Sequence, residues 1–181
     1  SRFILLQCEE KEVDPHSIAH LPDLGSLSFA DRALLHALDV ELTREITAAL
    51  KEYRLSEAGE KLYSFVWDLF CDWYLELSKG EANLAVLVHA HRKILTLLHP
   101  FIPFVTEELW AQVKPEGAGL LIKEDWPTVK LERESADSYK DLQSIIDIVT
   151  AIRKLRTEQD VQPGKQITAY IVSKDGGEFF S

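Results

Sequence analysis

Few residues in this chain have the types and spacing that reaction chemistry needs. His16 and His20 lie four apart and could share one helix face as metal ligands. The segment around them carries acids, Pro15, Pro22 and Gly25 with little periodicity, so it reads as a surface loop. No acid or thiol stands at ligand spacing from the pair. Asp68 and Asp72 are also four apart, on a helical pattern, and could form a carboxylate pair for proton transfer. No third acid and no His joins them, so they read as a solvated face. His89 and His91 are two apart and point to different sides of a helix. Cys8 and Cys71 are too few for a disulfide framework or a zinc site, and free thiols suit a reducing compartment. There is no Gly-rich phosphate loop and no Gly-x-Ser-x-Gly elbow. What remains is the chemistry of recognition: aromatic rings that stack on flat groups and cations that pair with phosphates.

The elements that would position such groups are helical. Pro100 and Pro103 stand in the string His99-Pro100-Phe101-Ile102-Pro103-Phe104-Val105-Thr106-Glu107-Glu108-Leu109-Trp110. Proline lacks the amide that a helix interior needs, so a Leu-rich helix must stop at Pro100. Pro103 has the fixed φ of a first helical position, and Glu107 and Glu108 are expected in the opening turn of the new helix, where negative charge suits its dipole. The product is a rigid corner, with Phe101, Ile102, Phe104 and Trp110 available to fill it.

Four helical patterns surround this corner. Ser28-Phe29-Ala30-Asp31 resembles a capping box and opens a helix whose stripe is Leu34, Leu35, Leu38, Leu42, Ile46, Ala49, Leu50 and Tyr53. Ser56 is the expected cap of the next helix, with a stripe of Leu62, Phe65, Val66, Leu69, Trp73 and Leu77 widened by Phe70 and Tyr74. That width marks it as the central helix. A third helix is expected from about 81 to 99, and a fourth follows the corner. Trp67, Trp73, Trp110 and Tyr74 all fall on these stripes and read as core. Trp126, before Pro127, is expected to fold back onto the bundle.

Charged residues 128–137 read as a linker before a long helix over about 138–159, whose basic end carries Arg153, Lys154 and Arg156. A turn at 162–165 leads to an expected strand over 166–173. The fold class is therefore mainly α: an antiparallel helical bundle over residues 1–130, then a linker, long helix and first strand of a truncated α/β subdomain over 131–181. The chain has no Met, opens on Ser1, and begins like the last turns of a helix, which reads as a piece of a longer protein. No apolar run reaches the roughly 18 residues of a membrane span, so no membrane partner is expected. A net charge of −10 argues against a general nucleic-acid binder, although local contacts shaped to RNA stay open.

The strings carry more than their physics. The corner at 99–110 resembles the signature of the anticodon-binding region of class I aminoacyl-tRNA synthetases for aliphatic amino acids, and the valine enzymes most of all. Phe70-Cys71-Asp72-Trp73-Tyr74-Leu75-Glu76 is similar to a stretch of the same region, as are Ala30-Asp31-Arg32, Trp126-Pro127 and Ala151-Ile152-Arg153-Lys154-Leu155-Arg156. They follow the family's order along nearly the whole chain. The His-Ile-Gly-His and Lys-Met-Ser-Lys-Ser motifs that handle ATP are absent. The resemblance implies that this chain recognises the anticodon arm of tRNA-Val in the cytoplasm, without DNA as a partner. It also implies a parent that is a valine–tRNA ligase using ATP and Mg²⁺ in a catalytic domain of the same chain. The piece itself would hold no cofactor and no catalytic residue.

An anticodon is read by stacking aromatics or Arg planes on splayed bases. By resemblance, Phe3 occupies the position that stacks on anticodon bases, with Arg2 as its phosphate partner. Read from its neighbours alone, Phe3 could equally belong to an apolar face with Ile4 and Leu6. Arg32, Lys79, Arg153, Lys154 and Arg156 are further phosphate candidates that could also be plain surface charge. Lys79–Asn83 is shorter than the family's usual loop, which weakens a contact there. Two other readings stay open: the same region of an isoleucine or leucine enzyme, and a free-standing helical protein-interaction domain, for which the acidity speaks.

Overall fold

The computed structural model describes residues 1–79, 82–129, 134–162, 164–168 and 170. The chain divides into two compact units, Ser1–Lys140 and Asp141–Ser181. The first is helical. α1 is Arg2–Glu10, and two single 3₁₀ turns, Pro15–Ser17 and Leu24–Ser26, punctuate the loop after it. α2 (Phe29–His36), a π-helical stretch (Ala37–Leu42) and α3 (Thr43–Lys51) run on as one rod. α4 (Leu55–Ser64), a second π-helical stretch (Phe65–Tyr74) and α5 (Leu75–Leu77) form another. α6 (Leu84–Leu98) and α7 (Pro103–Ala111) meet at the proline corner. α8 (Glu134–Glu158) begins in the first unit.

The start of α2 follows from its sequence. The Ser28 hydroxyl accepts from the Asp31 amide at 3.1 Å, and the Asp31 carboxylate accepts from the Ser28 amide, so the capping box is complete. Asp31 is buried, and the Tyr74 hydroxyl donates to it at 2.7 Å, which ties the first rod to the second. Burial and the adjacent carboxylate push the Tyr74 phenol above its ordinary range. A second polar tie joins the first rod to α6. Asp39 lies 3.0 Å from Nε2 of His89 and 2.9 Å from Nζ of Lys93. Burial pushes the Asp39 carboxyl up, but these two partners outweigh it and hold it below its ordinary value.

The expected central helix is not the observed one. α6 is buried on nearly every side, through Val86, Leu87, Val88, Ala90, His91, Ile94, Leu95 and Leu97, and packs on α1, α2, α4 and α7. Its start is capped by the Asn83 side chain, which accepts from the amides of Ala85 and Val86. The second rod is peripheral because its phase slips. Between Phe65 and Tyr74 the turns widen to π geometry, so the inward residues are Phe65, Phe70 and Tyr74, spaced five and four apart. Leu77, placed on the stripe by a 3.6-residue period, rotates outward, and Trp67, read as core, lies two residues after Phe65 and faces solvent. Two ends also differ from expectation. α4 starts at Leu55 rather than behind a Ser56 cap, because Tyr53 takes a left-handed φ of 58° and ends α3 early. The same turn puts the Tyr53 ring in solvent rather than on its stripe.

The corner is held by hydrogen bonds as well as by its prolines. Nδ1 of His99 lies 2.8 Å from the Thr106 hydroxyl, which donates to the carbonyls of Ile102 and Pro103. Phe101 packs on the core beside Gly59. Trp110 is buried with Leu95, Val113 and Leu121, and its indole donates to the Gly119 carbonyl at 3.2 Å. Phe104, expected inside, is 90% exposed. Pro103 sets the phase of α7 so that Thr106 and Trp110 face in, which leaves Phe104 and Val105 outside. Arg92 fastens the loop after α1: its guanidinium donates to the carbonyls of Val113, Ile18 and Pro15. Trp126 does fold back, half-buried against the core, with its indole on Thr47 at 2.8 Å.

In the second unit α8 ends in a left-handed Asp160, and the Val161 amide donates to the Arg156 carbonyl at 2.9 Å. The expected strand begins on residues 166–168 and 170, which carry no strand pairing; residues 169 and 171–173 lie outside the described residues.

Candidate nucleic-acid interface

The Phe3 edge is built from three elements. α1 runs antiparallel to α6: the Ser1 hydroxyl lies 2.8 Å from Nε2 of His91, and Nζ of Lys11 donates to the Ala82 carbonyl at 2.9 Å. Ile4 and Cys8 face the core, and Leu5 packs on the Trp110 cluster. That leaves Arg2 exposed and Phe3 37% exposed at the outer margin, with Leu6 half in solvent. Phe3 is therefore neither sealed into an apolar face nor fully free. The third element is α7, whose Trp110 shares a cluster with Leu5. Burial pushes the Cys71 thiol up, against the opposing effect of the positive Ser1 amino end.

Behind this edge His91 is buried and uncharged. Burial first, then the positive charges of the Ser1 amino end and Arg92, lower its pKa to about 4. It holds the first turn of α1 through Ser1 rather than facing a ligand.

The other expected contacts are scattered. Arg32 is half-buried and already engaged, donating to the Leu27 carbonyl and to the Ser138 hydroxyl of α8. Lys79 is exposed at the end of the second rod and paired with Glu76. Arg153 and Arg156 lie in the second unit, where the Arg156 guanidinium donates to the carbonyls of Gln162 and Lys165. Lys154 pairs with Glu158 there. His16 is committed to the Lys114 carbonyl through Nδ1 at 2.7 Å.

Sequence reasoning missed one surface feature. Tyr63 and Trp67, a turn apart on the second rod, stack with ring centroids 6.3 Å apart and planes 13° from parallel. They are 67% and 58% exposed. Periodicity placed Trp67 in the core and passed over Tyr63. The available signal was the spacing of Phe65, Phe70 and Tyr74, which a 3.6-residue helix cannot bring to one face.

A helical unit with a proline corner and a partly exposed Phe beside an Arg fits a recognition module. The comparisons agree. Residues 31–171 match the family described as the anticodon-binding domain of tRNA ligase, and the chain belongs to that family. It is 36% identical over 184 residues to the valine–tRNA ligase of Carboxydothermus hydrogenoformans, covering 97% of this chain and 20% of that protein. It is 32% identical over 185 residues to the valine–tRNA ligase of Bacillus cereus, with the same coverage. Against the enzyme of Staphylococcus haemolyticus it is 37% identical over 161 residues, which is 83% of this chain and 18% of that protein. The chain thus spans about a fifth of the length of these relatives.

Proposed function

We propose that this chain reads the anticodon arm of tRNA-Val as part of a valine–tRNA ligase. The observation that carries the proposal is the match to an anticodon-binding family together with relatives that are valine–tRNA ligases. The exposed Phe3 edge supports it, since a flat ring beside a cation is what a splayed RNA base with its phosphate requires. Arg32, Lys79, Arg153 and Arg156 belong to the proposal as secondary phosphate contacts. Of these, Lys79 is exposed and pairs with Glu76, itself an exposed carboxylate. In such a ligase ATP and Mg²⁺ serve amino-acid activation in a catalytic domain of the same chain. Among the described residues no three His, Cys, Asp or Glu side chains gather as a metal site. Among the described residues no helix is long and apolar enough to cross a membrane. A cytoplasmic location belongs to the same proposal, because translation takes place there.

The test is aminoacylation and binding by the full-length protein with tRNA-Val and with tRNAs whose anticodons are exchanged. Phe3→Ala is expected to weaken tRNA-Val binding by about 1–3 kcal/mol, the usual worth of one base stacked on an aromatic. Equal binding of all anticodon variants would sink the reading. Preference for isoleucine or leucine tRNAs would keep the module and change its substrate.

A further inference from the structure

The stacked pair on the second rod is an aromatic surface without an assigned partner. We propose that Tyr63 and Trp67 form a second base-stacking platform, which takes an unpaired base of the same RNA arm. This rests on the anticodon reading above. Three observations carry it. The rings are held nearly parallel in solvent, at 13°, so Trp67 presents a fixed flat face. Its orientation follows from its place two residues after Phe65, on the side of the rod away from Phe65, Phe70 and Tyr74, which are committed to the core. Both rings also stand more than half in solvent, at 67% and 58%.

The surroundings select a base over another protein surface. Glu60, Ser64, Asp68 and Asp72 flank the two rings and are exposed. Two rings in a polar frame offer little area to a docking domain, which needs a contiguous apolar patch. By contrast, Ile102, Phe104 and Val105 at the corner are such a patch. The carboxylates of Asp68 and Asp72 repel phosphates and accept from exocyclic amino groups. The platform would therefore take bases edge-on to these acids, with the RNA backbone turned away. This fits a loop whose bases point inward, and it gives the Asp68–Asp72 pair a role other than acid–base chemistry.

The experiment uses the full-length protein and a hairpin RNA comprising the anticodon stem and loop of tRNA-Val. Trp67→Ala is expected to raise Kd about tenfold, in the range of one lost stacked base, and Trp67→Phe to restore most of it. Tyr63→Ala should weaken binding less, because Tyr63 supports Trp67. Acrylamide quenching supplies a second readout without mutation: the exposed Trp67 component should become protected when the hairpin is added. If Phe3→Ala weakens binding while Trp67→Ala does not, the platform is overturned and the anticodon reading stands. If both variants bind as the parent does, both fall. If Trp67 is already protected in the full-length protein without RNA, another part of the protein covers it and the platform is overturned.

Discussion

The proline corner and the aromatic edge are built from similar residues and do opposite things. Each joins two helical segments and each is rich in aromatic residues; the corner leaves Phe104 in solvent, and the edge leaves Tyr63 and Trp67 there. At the corner the recognisable string serves geometry: Phe101 and Trp110 are packed, and the His99–Thr106 contact closes the bend from within. At the edge the backbone is an uninterrupted rod, and Trp67 faces outward beside Tyr63. The corner fixes an angle, and the edge presents a surface. The string that best places the chain in its family is thus distinct from the residues proposed to touch RNA.

Removing a packed ring from the corner should separate the two roles most sharply. Trp110→Ala empties a site that is 5% exposed and frees an indole bonded to Gly119. Truncating a buried Trp costs about 3–5 kcal/mol, read as a lower urea midpoint at unchanged slope. Hairpin binding, measured at a temperature where the variant is folded, should stay within twofold of the parent. A loss of binding in the folded variant would show that the corner is part of the surface. Acid should act on the other side of the comparison. His91 stays neutral in the fold with a pKa of about 4 against an ordinary 6.5, so between those values the unfolded chain binds the proton first. Its contribution is fully present above pH 6.5 and is lost as pH falls toward 4. The loss should reach about 1–3 kcal/mol, and should be absent in His91→Gln when unfolding is followed at pH 7, 5.5 and 4.5. Asp39 acts in a lower window. Its folded pKa is depressed, so its contribution is complete above the ordinary 3.8 and is lost as pH falls through the folded value.

What could be read from the residues follows from how local each determinant is. The capping box at Ser28, the stop at Pro100, the restart at Pro103 and the return of Trp126 depend on a few neighbouring residues, and all are observed. The helical class follows from apolar periodicity summed over long windows. The phase of the second rod was hard to read, because the widened turns over Phe65–Tyr74 shift every later residue and show locally only as the five-residue step from Phe65 to Phe70. The misplacement of Leu77 and the choice of the wrong central helix share that cause. Arg32 shows a further limit. It stands in a family-like string and reads as a surface cation, yet its guanidinium finds Leu27 and Ser138, a partner more than a hundred residues away. Phe3 enters as a candidate only through resemblance, since a partly exposed ring on an amphipathic helix has no periodic signature.

The smallest expected effect is the most direct check that the corner's visible ring is dispensable for its own fold. Phe104 is 90% exposed, one residue after Pro103, on the face of α7 opposite Thr106 and Trp110. Substitutions at such sites usually change stability by less than about 0.5 kcal/mol. Phe104→Ser should therefore leave the urea midpoint of this chain unchanged, and should leave hairpin binding unchanged if recognition lies at the edge. Phe and Ser have comparable helix propensities, so the comparison isolates the ring. A midpoint shift equivalent to more than about 1 kcal/mol would mean that the ring shields Phe101 and the Pro103 turn, and that the corner needs its outer side chain as well as its inner ones.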